Sequence, residues 1–163
     1  MVLDSILSGA TAVILPPSLI SNSLTVEELS IGNNSYNDSS VTEFKLSGLP
    51  ALKSIVIGDE CFGSVRVFEL NGLSELESVV IGKKSITIAM SRKSAEDNKR
   101  TDGICRIVNC PRLKSIQFSD TAFCDYHSID LVNLPSLQSI EMGESCFFAA
   151  PSFSLIGTTE SVI

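Results

Sequence analysis

This 163-residue chain has a single histidine, His127. Cys124 and His127 stand at metal-ligand spacing in Cys124-Asp125-Tyr126-His127, but no second Cys or His pair supplies the remaining ligands of a zinc site. Positive charge is also scarce: 12 Lys and Arg face 19 Asp and Glu, for a formal net charge of -7. That balance argues against non-specific binding to nucleic acid or to an anionic membrane. No stretch is long and apolar enough to span a bilayer. Met1-Val-Leu-Asp4 lacks the basic start of a signal peptide, and Pro16-Pro17 interrupts the mildly apolar run that follows. No Gly-rich phosphate loop follows a strand and opens a helix. The cysteines number five, an odd count that forms no paired framework.

The chain does have a period. Leu52-Lys-Ser-Ile55-Val-Ile57-Gly-Asp-Glu-Cys61-Phe62 aligns with the segments beginning at Leu76, Leu113 and Leu137, and with an earlier one beginning at Val26. Leu52 to Leu76 is a step of 24 residues, and so is Leu113 to Leu137. A fixed period of that size predicts a solenoid, in which each unit buries its apolar face against its neighbours. The composition, 44% hydrophobic, is that of a globular chain.

Each period reads as two short strands. In the first, Leu52, Ile55 and Ile57 point in while Lys53 and Val56 point out. The second carries Val41, Phe44 and Leu46, and then Val65, Phe68 and Leu70. Cys105 and Ile107, Ile129 and Leu131, and Phe153 and Leu155 take those places in later coils. Gly48, Gly72, Asn109, Asn133 and Gly157 align after it and predict a left-handed turn. Pro50, Pro111 and Pro135 then stop the strand. A second glycine column, Gly32, Gly58, Gly82 and Gly143, is expected to mark another tight corner; Ser119 is its exception. Beyond it come a small inward column (Ser35, Cys61, Ser85, Ala122, Cys146) and a large one (Tyr36, Phe62, Ile86, Phe123, Phe147), the latter expected to be core packing.

Two outward columns alternate in charge. Glu27, Lys53, Glu77, Lys114 and Gln138 form one; Lys45, Glu69, Arg106, Asp130 and Ser154 form the other. Stacked in register at ~5 Å, opposite charges in such a column attract. Cys61 and Cys146 share a column three coils apart, too far for a disulfide at ~4.8 Å per coil. Cys105 and Cys110 replace core residues. The cysteines therefore read as buried thiols, which favours a reducing compartment, with the cell surface as the alternative.

These residues resemble leucine-rich repeats. The short coil, its second strand and Ala12-Val-Ile-Leu15-Pro16 are similar to the BspA-type branch. The family places Asn or Cys where this chain has Cys61 and Cys146, whereas Ser35, Ser85 and Ala122 depart from it. The expected fold is mainly β: a leucine-rich-repeat-like solenoid of about five stacked 24-residue coils with parallel in-register strands and little helix. A parallel β-helix is the alternative. Residues 1–163 read as one array, expected to continue in a longer protein, because Thr159-Glu-Ser-Val-Ile163 looks like the start of another first strand.

Leu76 to Leu113 spans 37 residues, an excess of 13. The excess forms an inserted polar loop, 89–101, holding Arg92, Lys93, Lys99 and Arg100 against Glu96 and Asp97. Insertions in repeats map to loops on one face, often the binding face. A smaller excess of two residues in 32–40 should emerge on the same side. Asn33 and Asn37 there begin glycosylation patterns, although Ser35 should point inward.

Chemistry is sparse. His127 aligns with outward Arg66, and Cys124 follows inward Phe123, so neither a metal site nor a Cys/His nucleophile is expected. Asp59-Glu60 and Glu144 lie on exposed corners with no cleft for paired carboxylates. The expected function is a non-enzymatic protein-interaction module without cofactor, nucleic-acid partner or membrane insertion in this segment. The resemblance implies an alternative, a surface adhesin or receptor fragment binding protein or glycan. The candidate contact residues are Lys53, Val56, Glu77, Val80 and Lys114 on the first-strand face, with Arg92, Lys93, Lys99 and Arg100 on the loop. An end-to-end contact through the last coil is a further expectation.

Overall fold

A computed structural model describes residues 13–14, 25–87, 103–148 and 150–157. They form a parallel β-solenoid of about five turns of roughly 24 residues. No helix occurs among the described residues. The first strands of the coils are β2 (Glu28–Ile31), β4 (Ser54–Ile57), β6 (Ser78–Ile81), β8 (Ser115–Phe118) and β10 (Ser139–Met142), which hydrogen-bond in that order into a five-stranded sheet. The second strands are β1 (Val13–Ile14), β3 (Glu43–Leu46), β5 (Val67–Asn71), β7 (Ile104–Val108), β9 (Ser128–Val132) and β11 (Ser152–Ile156), which form a six-stranded sheet.

The register follows the repeat. Ile55 pairs with Val79, Val79 with Ile116 and Ile116 with Ile140. Phe68 pairs with Cys105 across the 13-residue excess, so the extra length leaves strand pairing undisturbed. Leu52, Leu76, Leu113 and Leu137 are fully buried in one core with Phe44, Phe68 and Leu131. Burying a side chain of this size contributes about 1.5–3 kcal/mol. Rings stack along the core axis: Phe44 lies on Phe68 at 5.1 Å and Phe123 on Phe147 at 5.0 Å between centroids.

The left-handed turn predicted at Gly48, Gly72, Asn109, Asn133 and Gly157 is present, with φ from 56° to 71°. Two further left-handed columns occur at each first corner. One is Asn34, Glu60, Lys84, Thr121 and Ser145; the other is the large column Tyr36, Phe62, Ile86, Phe123 and Phe147. Side chains resist this backbone by roughly 1–2 kcal/mol per residue; core packing holds the large column, and N–H bonds to the next coil hold the other, from Asn34 to the Asp59 carbonyl, Glu60 to Lys83, Lys84 to Asp120 and Thr121 to Glu144. The Gly58, Gly82 and Gly143 column has a different cause. A Cβ at each would collide with the neighbouring coil, at Asn33, Gly58 and Asp120 respectively.

The small inward column joins adjacent coils by hydrogen bonds. Cys61 Sγ donates to the Gly32 carbonyl (3.0 Å), Ser85 Oγ to that of Gly58 (2.7 Å) and Cys146 Sγ to that of Ser119 (2.9 Å). Ser85 Oγ also accepts the Cys61 N–H at 3.0 Å. Ala122 sits fully buried in the same column without a donor. Ala122→Ser should meet the Gly82 carbonyl and the Ser85 N–H in the same way. The expected gain is about 1 kcal/mol, read as a higher urea midpoint at unchanged slope; a lower midpoint would contradict the ladder.

Candidate functional site

Alternation along each first strand sends every second side chain outward. Because the strands are in register, those side chains line up across five coils. Ser54, Ser78, Ser115 and Ser139 form one column, and Ser30, Val56, Val80, Gln117 and Glu141 the next. Lys53, Glu77 and Lys114 immediately precede their strands. The structure therefore brings Lys53, Val56, Glu77, Val80 and Lys114 onto one face. Val56 is 41% exposed, an apolar patch within a polar comb.

The charges pair between coils. Lys53 Nζ lies 2.9 Å from Glu27 and Lys114 Nζ 2.8 Å from Glu77. The Lys114 hydrogen bond and charge, with Arg112 and Lys53 nearby, hold the Glu77 carboxyl below the usual carboxylate range. Arg112 extends this network, reaching Glu75 at 2.7 Å and Glu77 at 3.5 Å. Sequence reasoning missed Arg112, although Glu75 and Arg112 each stand one residue before the aligned Leu76 and Leu113. Extending the charge columns by that position would have found the pair.

The opposite sheet also carries charge pairs, with one departure. Arg106 Nε lies 3.3 Å from Asp130, as the alternating column predicts. Lys45 instead pairs with Glu43 of its own strand at 2.8 Å. Beside them Asn133 donates to Asn109, and Asn109 to Asn71. Glu69, Asn71, Arg106, Asn109 and Asp130 line a shallow open depression of about 310 Å³ on this face.

Corner carboxylates have structural partners. Asp59 Oδ1 accepts the Lys83 N–H at 2.7 Å, and Asp120 Oδ1 the Glu144 N–H at 3.1 Å. Hydrogen bonding from Lys83, then from the Glu144 N–H, lowers the Asp120 carboxyl's proton affinity. Asn33 accepts the Asp59 N–H; Asn37 donates Nδ2 to the Glu60 carbonyl and accepts the Gly63 N–H. The amide nitrogen that a glycan would need at Asn37 is thus committed to the next coil.

Arg92, Lys93, Lys99 and Arg100 lie outside the described residues, as does the whole 89–101 insertion. Its flanks are fixed. Thr87 is buried and donates to Asp125 Oδ1 at 2.8 Å; the Gly103 carbonyl accepts the His127 N–H, also at 2.8 Å. Asn37 Oδ1 and the Thr87 carbonyl both lie beside Gly63, so the two irregular segments share one corner.

Among the described residues no group of three His, Cys, Asp or Glu side chains converges as a metal site would need. Burial raises the thiol pKa of Cys61, Cys105, Cys110 and Cys146, which keeps them protonated and poorly nucleophilic. Among the described residues no helix is long and apolar enough to cross a membrane. Comparison with protein-family models, curated proteins and solved structures found no match.

Proposed function

We propose that this chain is a non-enzymatic protein-interaction module that binds through its five-stranded face, with the basic 89–101 insertion as a second contact at the rim. The observation that carries this reading is the comb of fixed, paired charges around Val56 and Val80 on a rigid sheet. Side chains held in place by neighbouring strands lose little freedom on binding, so a polar surface of modest area can be selective. Thr87 and Gly103, the described residues on either side of the insertion, are buried and hydrogen-bonded. The repeat pattern's resemblance to leucine-rich repeats of the BspA type supports the same use, because the Cys and Ser thiol and hydroxyl donors tie coils together where that family uses a side-chain ladder. A surface adhesin or receptor fragment, binding protein or glycan, is the second reading; the open depression beside the Asn71, Asn109 and Asn133 ladder, where Val108 and Val132 lie among charged side chains, favours it.

The test is charge reversal. Lys114→Glu places a second carboxylate beside Glu77 at a half-exposed position, so folding should change by less than ~1 kcal/mol. A partner held by this face should lose roughly tenfold in affinity in quantitative pull-downs and become less sensitive to salt. An unchanged set of captured proteins would move the contact to the 89–101 insertion.

A further inference from the structure

Asn71 is the one asparagine of this chain that is followed by glycine. Such a pair carries a reaction of its own. The backbone nitrogen of a glycine can attack the preceding side-chain amide carbon, because no side chain of its own shields the approach. A closed imide forms and ammonia leaves, which is one source of the thermal lability of asparagine.

The fold holds the two reactants apart. Asn71 ends β5 and pairs in register with Val108 of β7. A parallel strand keeps ψ near about +115°, which turns the Gly72 nitrogen away from the Asn71 side chain. The Gly72 N–H donates to the Val108 carbonyl at 3.1 Å. The Asn71 amide is tied at both ends: Oδ1 accepts Asn109 Nδ2 at 3.3 Å, and Nδ2 donates to Glu69 Oε1 at 3.4 Å. Burial plays no part in this restraint. Asn71 is half-buried and Gly72 exposed, and a carbon added to Gly72 would meet nothing within 4 Å among the described residues. Water reaches the pair in the closed array, and strand geometry restrains it.

We propose that Asn71–Gly72 is a latent self-modification site, closed while β5 and β7 are paired and released when that seam opens. On opening, ψ rotates and the Gly72 nitrogen leaves the Val108 carbonyl. It gives its proton to solvent base and bonds to Asn71 Cγ. The Cγ–Nδ2 bond breaks, and the side-chain nitrogen departs as ammonia with a proton returned by solvent. Water then adds to one of the two imide carbonyls and yields aspartate or isoaspartate. Either product carries one new negative charge. It stands two residues from Glu69 on the same face of the strand, beside the depression that Glu69, Arg106 and Asp130 line. A carboxylate at position 71 cannot donate to Glu69 and repels it. The seam is therefore weaker after the reaction than before, and the six-stranded face more acidic.

Peptide mass spectrometry of the full chain, held in warm and mildly alkaline buffer, tests this. In urea above the unfolding midpoint, Asn71 should convert faster than Asn109 or Asn133, to a mixture of aspartate and isoaspartate. In the folded chain its conversion should be slower by roughly tenfold or more, because the reaction waits for opening. Gly72→Ala should slow it in urea, since the methyl group crowds the attacking nitrogen. Asn71→Asp, which installs one product directly, should unfold at a lower urea concentration than the wild type. A folded chain that converts Asn71 as fast as the unfolded one overturns the gate. Conversion in urea no faster than at Asn109, or unmoved by Gly72→Ala, overturns the chemistry. An Asn71→Asp midpoint equal to or above that of the wild type overturns the weakening of the seam.

Discussion

Replacing Gly82 with alanine should destabilise the protein by about 3 kcal/mol, the upper range for overpacking a closed site. An added Cβ would overlap the carbonyl group of Gly58 and lie 2.7 Å from the Asp59 nitrogen. Both obstacles are backbone, and both belong to a coil whose own hydrogen bonds fix it: the Gly82 N–H donates to the Ile57 carbonyl at 2.8 Å and the Lys83 N–H to Asp59. Neither can retreat without parting the coils. Two other glycines give the scale. At Gly32 the added carbon would meet, among the described residues, Ser35 Oγ alone, at 4.0 Å, so Gly32→Ala should be close to neutral. At Gly72 there is open space but φ is 67°, so Gly72→Ala should cost about 1 kcal/mol in backbone strain. Urea unfolding of the three variants should rank them Gly82, Gly72, Gly32 in order of loss. A Gly82 variant as stable as the Gly32 one would mean that the coils do not stack as closely as described.

Phe123→Ala should have a similar or larger effect, about 4 kcal/mol. Phe123 is fully buried at the meeting of four rings: Tyr126 at 4.8 Å, Phe147 at 5.0 Å, Phe68 at 5.3 Å and Phe118 at 5.4 Å. Removing it leaves a hole bordered by both sheets. Tyr126, whose hydroxyl donates to the Val65 carbonyl at 2.8 Å, would lose its ring contact on that side. In a solenoid such damage is felt first by adjoining coils. Hydrogen exchange should therefore show β8 through β11 losing protection before β2 through β6. Phe123→Leu, which refills most of the volume, should recover about half of the loss. Uniform loss across all coils would indicate one cooperative unit instead.

Much of this architecture was legible in the residues. Leu52, Ile55 and Ile57 alternate, their equivalents recur every 24 positions, and the 13-residue excess interrupts neither pattern. The turn at Gly48 and Asn109 was legible because Gly and Asn signal a left-handed backbone. The two other left-handed columns were hidden because Phe62, Ile86, Glu60 and Thr121 carry no such signal; the ring stack and the coil-to-coil hydrogen bonds impose the conformation on them. Gly82 was readable as special but not for its cause, since a close approach between coils is a tertiary fact. The donor role of Cys61 and Ser85 was hidden for the same reason. On the candidate face, Lys114 and Glu77 followed from alternating sign. Arg112, in the turn after Pro111, escaped attention because it precedes the repeating phrase.

The corner shared by Asn37, Gly63 and Thr87 has a bearing on how such a chain can diverge. Losing or gaining one residue inside a strand would turn Leu and Ile outward and charges inward through that coil. At this corner, two extra residues in one coil and 13 in another are absorbed without shifting a single strand pair. Tolerated length variation should therefore take two forms: outgrowths sprouting from this one seam, or duplication and deletion of complete turns.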